Sequence, residues 1–547
     1  MSDRVTYDDA EEVEVTMGHP RDARQVRTSD EPPASTSSRI PDVTGQGGPT
    51  PDAAVVQDGL GCHSGSEMEK AARMAGNSEM LDKFAADYPQ GPHDKPQSMC
   101  PAFGSLRVGL RMRRTATVLS GSACCVYGLT FVSHFYGARR SVGYVPFNSE
   151  TLVTGKLFED IRESVHDLAD PDKYDAIVVT NLCVPTASGV PLRLLPNEIN
   201  GVRIVGIDVP GFGIPTHAEA KDVLAGAMLN YARAEVEAGP VAAPSSGTSD
   251  RPTVALLGEM FPADPMMIGQ MLAPLGLAAG PVVPCREWRE LYAALDSAVV
   301  AAVHPFYTSA VREFEAAGRP VVGSGPVGRD GTAAWLEAIG AAHGCSAEQI
   351  AEAQNAVLPA ISGALAAMPI KGTITLSGYE GSELLVARLL IESGAEVPYV
   401  GTACPRTPWN ADDQAWLEAK GVTVKFRASL EDDCAAMEAV KPDLAIGTTP
   451  VVQKAKELGV PGLYFTNLIS ARPLMGVAGA GSLAEVINAA IANKGRMDHM
   501  REFFEGVGEG DTAGVWEGAP NLRPDFRAQN QKKLERQAKA AKAAEMI

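Results

Sequence analysis

No stretch of the 547 residues is apolar over the ~18 positions that a membrane-spanning helix requires. The longest candidates, such as the run around Ala298 to Val303, are strand-sized. Basic residues are also in deficit, 48 Lys and Arg standing against 67 Asp and Glu for a formal charge of −19. Such a surface repels phosphate backbones and anionic lipid, which disfavours general nucleic-acid or membrane-surface binding. Aromatic residues are scarce at 6%, whereas Gly (54) and Pro (39) are plentiful, a composition that suits an α/β enzyme better than an all-β protein. Phosphate-binding motifs are missing as well. Gly155-Lys156 runs into Leu157 without the earlier glycine of a P-loop, so the chain is expected to carry no ATP site of its own. Gly211-Phe212-Gly213 continues with Ile214, Pro215 and Thr216, which argues against a dinucleotide cofactor.

Asp3, Asp8, Asp9, Glu11 and Glu12 occupy the place where a secretory leader would have a basic start and an apolar stretch, so a cytoplasmic location is expected. Nine cysteines, an odd count without a leader, argue for reduced thiols and metal ligation over a disulfide framework. Residues 1–95 are rich in Asp, Glu, Pro, Ser, Thr and Gly without sustained periodicity and read as a disordered acidic extension, with a short helix over 66–86. Short β-branched runs then alternate with helix-like segments, the pattern of doubly wound parallel sheets. Expected strands include Ala116–Leu119, Ala176–Thr180, Arg203–Val209, Thr253–Leu257, Val299–Val303, Pro320–Val322, Thr373–Leu376, Val397–Val400, Val422–Phe426, Leu444–Ile446 and Gly462–Phe465. A Gly/Pro/Ser-rich linker covers 238–252. The expected organisation is three Rossmann-like α/β domains, 96–250, 251–370 and 371–505, followed by a basic helical tail over 506–547.

Three cysteines are expected where a strand gives way to a loop or is about to begin: Cys100 in Ser98-Met99-Cys100-Pro101, Cys125 in Cys124-Cys125-Val126-Tyr127-Gly128, and Cys183 in Asn181-Leu182-Cys183-Val184-Pro185. Loops at one edge of a parallel sheet can bring such distant thiols together. The small and kinking neighbours Gly121, Ser122, Ala123, Gly128, Pro101 and Pro185 leave room for an inorganic cluster and supply N–H groups to its sulfides. Cys124 remains an alternative to Cys125, since adjacent side chains on an extended backbone point opposite ways. Cys62, Cys285, Cys345 and Cys434 read as small core hydrophobes, as does Cys404, although its loop could line a substrate pocket.

Val153-Thr154-Gly155-Lys156-Leu157 through Lys173 to Val179, then Cys183-Val184-Pro185, resembles the surroundings of the third cluster cysteine in nitrogenase-like component proteins. Cys125-Val126-Tyr127-Gly128 with Arg139-Arg140, Val209 to Gly213 and Lys441 to Gly447 are further matches, and the likeness spans roughly residues 96–500. Within this family the Met99 to Pro215 region is most similar to the branch acting on chlorophyllide a. The resemblance implies a [4Fe-4S] cluster held by Cys100, Cys125 and Cys183 and shared with a homologous subunit, Z, in a heterotetramer. It also implies a transiently docking ATP-hydrolysing iron-sulfur reductase, X, and electron relay to the C7=C8 bond of ring B of chlorophyllide a in bacteriochlorophyll biosynthesis. A protochlorophyllide-reducing enzyme and a non-catalytic metallocofactor assembly scaffold are the alternatives. In the dinitrogen-reducing members a cysteine of the second domain and a histidine of the third anchor a molybdenum-iron cofactor. The corresponding stretches here read Ala302-Val303-His304-Pro305-Phe306-Tyr307 and Thr466-Asn467-Leu468-Ile469-Ser470, which favours an organic substrate in that cavity.

His134, His217 and His304 are candidate proton donors by chemistry, although a satisfied structural role is the commoner fate of a histidine. Arg139-Arg140 could pair with a substrate propionate or form a structural salt bridge, and Tyr127, Phe131, Phe135 and Tyr136 could pack on a ring system or in a core.

Overall fold

A computed structural model of the chain describes residues 100–123, 125–126, 142–241, 250–258 and 264–504. The expected acidic extension with its short helix, the C-terminal tail, Cys62, Cys124, Tyr127, Gly128, Phe131, His134, Phe135, Tyr136, Arg139 and Arg140 lie outside the described residues.

The first sheet contains β1 (Thr115–Gly121), β2 (Val142–Pro146), β3 (Ala176–Asn181), β4 (Glu198–Ile199) and β5 (Val202–Asp208) in the order β2-β1-β3-β5-β4. All neighbours are parallel except the β4/β5 pair. Every residue of β1 and β3 is buried, because helices cover both faces of the sheet. Leu106 and Leu110 of helix Ala102–Arg111 pack with Leu224 and Leu229 of helix His217–Ala238 on one face. Leu157, Ile161 and Val165 of helix Lys156–Leu168 cover the other. Gly155, at φ +74°, lets the chain turn into that last helix through the left-handed region, so its role is in the backbone.

The second sheet contains β6 (Thr253–Leu257), β7 (Ala278–Val283), β8 (Val299–Ala302) and β9 (Val321–Gly323), all parallel, in the order β7-β6-β8-β9. The third contains β10 (Thr373–Gly378), β11 (Glu396–Thr402), β12 (Thr423–Phe426), β13 (Leu444–Gly447) and β14 (Gly462–Tyr464), again parallel, in the order β12-β11-β10-β13-β14. The expected α/β class with parallel sheets is thus the observed one. The strands expected near each central position are present, while β2, β4 and β7 had no counterpart in the sequence reading. Each of these lies at a sheet edge. Half-exposed β2 carries Gly143 and Pro146, and β7 carries Gly280 and Pro281, residues that interrupt the apolar run by which a strand is recognised in sequence.

Helix His217–Ala238 ties the three units together. Asp222 accepts hydrogen bonds of 2.8 Å from the backbone amides of Thr308, Ser309 and Ala310, closing the start of helix Ser309–Ala316 in the second unit. Glu219 receives the forked guanidinium of Arg427 from the third unit at 2.5 and 2.7 Å. Among the described residues no helix is long and apolar enough to cross a membrane.

Candidate functional site

A doubly wound sheet binds ligands beyond the carboxyl ends of its strands, at the point where the winding direction reverses. In the first sheet that point lies between β1 and β3, and two of the three expected cysteines sit just past it. Cys125 follows β1 by four residues and is exposed, and Cys183 opens helix Cys183–Ala187 directly after β3. Cys100 is one point of correction. It does not adjoin a strand but precedes helix Ala102–Arg111, which runs back along the sheet to reach the start of β1, so the beginning of that helix stands at the sheet's carboxyl edge.

Cys183 and Cys125 both lie within electrostatic reach of Cys100. Burial pushes the Cys100 thiol up to about 11; a backbone hydrogen bond from Ala102 opposes this, and the neighbouring Cys183 and Cys125 thiols add to it. Cys183 Sγ accepts a hydrogen bond of 3.1 Å from the Gly211 amide, in the loop after β5. None of the three is buried within a sheet. Around them Val184 and Phe212 are 39% and 49% exposed, so apolar surface flanks the Cys183–Gly211 contact.

Among the described residues no group of three or more His, Cys, Asp or Glu side chains closes tightly enough to hold a single metal ion. The thiolates of a four-iron cluster bind different irons and stand farther apart than the ligands of one ion. The donor set therefore suits a cluster: thiols from separate loops, amide N–H groups directed at two of the sulfurs, and an open side at Cys125.

The other cysteines divide as their surroundings dictate. Cys285 and Cys404 are buried, and Cys345 and Cys434 are partly so. Cys404 packs beneath the loop after β10, its Sγ 3.5 Å from the Tyr379 carbonyl, so it does not face an open pocket.

The histidines are equally informative. His304, after β8 at the winding reversal of the second sheet, is 3% exposed and stacks on Phe306 with ring centroids 5.9 Å apart. His217 begins the long helix and reaches across to the third unit, where its Nε2 lies 3.1 Å from Glu380 Oε1. Lys221 Nζ donates to Glu380 Oε2 at 3.1 Å, and Thr466 Oγ1 donates to Oε1 at 3.4 Å. Burial works against the ionised form of Glu380, but His217 and Lys221 outweigh it and hold the carboxyl well below its ordinary value. Burial likewise lowers the His217 imidazole, against the pull of Glu380. Nε2 of the ring faces the ionised carboxylate, which can only accept there.

Three residues on, Glu383 behaves oppositely. Its carboxylate accepts from the amides of Glu380 and Gly381 at 2.8 and 2.9 Å and from the Thr402 hydroxyl at 2.8 Å, yet burial dominates and pushes it up to about 7. Both glutamates follow β10, at the winding reversal of the third sheet. Sequence reading passed over Glu380, Glu383, Lys221 and the Gly211 amide. A lone charge in a helix or loop looks like a solvated one until its burial is known, and backbone donors have no sequence signature.

The nitrogenase component 1 type oxidoreductase model matches residues 100–492. A chlorophyllide reductase 52.5 kDa chain of Cereibacter sphaeroides is 78% identical over 495 residues, covering 90% of this chain and 99% of that one. A chlorophyllide reductase 52.5 kDa chain of Rhodobacter capsulatus is 76% identical over 488 residues, covering 89% and 98%. Among solved structures, nitrogenase Cp1 at pH 6.5 superposes with a TM-score of 0.58 at 18% identity, over 73% of this chain and 93% of that one, a likeness of fold. The chain belongs to the nitrogenase component 1 type oxidoreductase family.

Proposed function

We propose that this chain is the Y-type subunit of a nitrogenase-like chlorophyllide a reductase. The observation that carries the reading is 78% identity along nearly the full length of a chlorophyllide reductase chain. The three thiols past the winding reversal of the first sheet support it. In this reading Cys100, Cys125 and Cys183 hold a [4Fe-4S] cluster, and a homologous Z-type subunit covers exposed Cys125 and supplies the remaining ligand. When bound, the cluster provides one-electron storage between an ATP-hydrolysing X-type reductase and the tetrapyrrole. The chain's own residues grip the sulfurs, direct the Ala102 and Gly211 amides at them, and seat an apolar macrocycle where the carboxyl edges of the sheets meet.

The reaction assigned is reduction of the C7=C8 bond of ring B, two electrons and two protons added per double bond. The test is anaerobic co-purification with the Z-type partner, followed by incubation with chlorophyllide a, X-type reductase, ATP and a reductant. Conversion to a bacteriochlorin absorbance spectrum is expected. An unchanged spectrum with every component present and active would refute the assignment, and a cluster that transfers to another apoprotein would point to a scaffold instead.

A further inference from the structure

Two of the three cysteine supports meet at one corner of the fold. The helix that follows Cys100 crosses the long helix at Gly104, where a Cβ would stand 1.6 Å from the His217 carbonyl oxygen, so the two backbones are in direct contact. The loop that presents the Gly211 amide to Cys183 runs through Thr216, whose side chain caps the long helix by accepting from the Glu219 amide at 3.2 Å, and ends at His217. This corner is fastened from outside its own unit. Glu380, 5% exposed and following β10 of the third sheet, grips both His217 and Lys221, one helical turn apart.

We propose that Glu380 is a positioning residue for the cysteine site: by fixing the His217 corner it sets the Gly211 amide on Cys183 and the register of the helix behind Cys100, coupling the third unit to the potential of the cluster. The proposal rests on the cluster reading above. Its physical basis is that amide hydrogen bonds to cluster sulfurs help set the reduction potential, and that a donor at 3.1 Å weakens when its loop shifts by a fraction of an ångström.

The test is an EPR-monitored redox titration of the assembled complex, with iron and acid-labile sulfide measured in parallel. Glu380→Gln leaves Lys221 buried without its carboxylate, so a second variant, Glu380→Gln with Lys221→Met, replaces the ion pair by neutral groups of similar size and guards against misfolding. Both are expected to retain iron and sulfide while shifting the midpoint to more negative potential and altering the EPR line shape. The control is Arg388→Met with Asp413→Leu, which removes another buried ion pair of the third unit; it is expected to leave midpoint and line shape as in the parent. An unshifted or positively shifted midpoint in the Glu380 variants, or an equal shift in the control, overturns the proposal. Absence of iron and sulfide from the parent complex would instead refute the cluster reading, and the positioning role with it.

Discussion

Gly211 and Cys183 meet through a hydrogen bond of 3.1 Å in which the glycine amide donates to the cysteine sulfur. The amide comes from the loop after β5 and the sulfur from the start of the helix after β3, so adjacent parallel strands deliver donor and acceptor to the same edge. An N–H directed at sulfur favours the thiolate, the form that binds iron.

The cysteine assignment leads to a direct measurement. Changing Cys100, Cys125 or Cys183 to Ser is expected to remove most of the iron and acid-labile sulfide from the purified complex. Disturbing a group that merely supports a ligand typically costs about 10- to 100-fold in metal affinity, and loss of a ligand costs at least as much. Cys124→Ser is expected to keep full iron. A complex retaining its iron without Cys183 would refute the assignment.

Asp222 is the polar hinge between the first and second units, its carboxylate accepting from three consecutive amides at the start of helix Ser309–Ala316. Asp222→Ala leaves those amides, that of buried Ala310 among them, with no acceptor in its place. A loss of about 2–4 kcal/mol is expected, from a cap deletion compounded by an unsatisfied buried donor. Denaturant unfolding measures it, and a change within error of zero would show that water or a shifted side chain replaces the carboxylate.

How much of this was legible beforehand depends on what each element buries. Interior β3 and β8 announce themselves through the apolar runs Ala176–Val179 and Val299–Ala302, whereas β2 and β7, at sheet edges, are broken by Gly143, Pro146, Gly280 and Pro281. The three candidate cysteines stood out through their small and kinking neighbours, although Cys100 proved to lead a helix. Glu380, Lys221 and Asp222 were invisible, because their meaning lies in partners 159 and 86 residues away.

Glu383 makes stability depend on pH in a defined direction. Burial raises its carboxyl to about 7 in the folded chain against an ordinary value of 4.5, so the folded state holds a proton that the unfolded chain releases. The associated stability is fully present below the unfolded value and is lost as pH rises through about 7. Glu380 works in the opposite sense: its carboxyl is held below its ordinary value, and its contribution disappears only as pH falls into the acid range. Glu383→Gln is therefore expected to flatten the decline in melting temperature between about pH 5 and pH 8, leaving the acid limb unchanged. Parallel curves for parent and variant would show that Glu383 is ionised throughout.

Arg388 and Asp413 form a buried ion pair in the third unit, 2.5 Å apart and 5% and 0% exposed, with the guanidinium also 4.8 Å above the Trp416 ring. Attraction in such a site only offsets the cost of removing two charges from water, so the pair contributes little net stability while either member alone is a liability. Arg388→Met should cost about 3–5 kcal/mol, since it leaves the Asp413 carboxylate without its counter-charge. Burial already raises that carboxyl against the pull of Arg388, so the single variant should favour a protonated Asp413 and regain part of the loss at low pH. Adding Asp413→Leu should restore most of the stability by substituting apolar packing for the pair. Denaturant midpoints of the two single variants and the double variant give the coupling energy, and a double variant no more stable than Arg388→Met would show that shape at this site, not charge, governs the packing of the third unit.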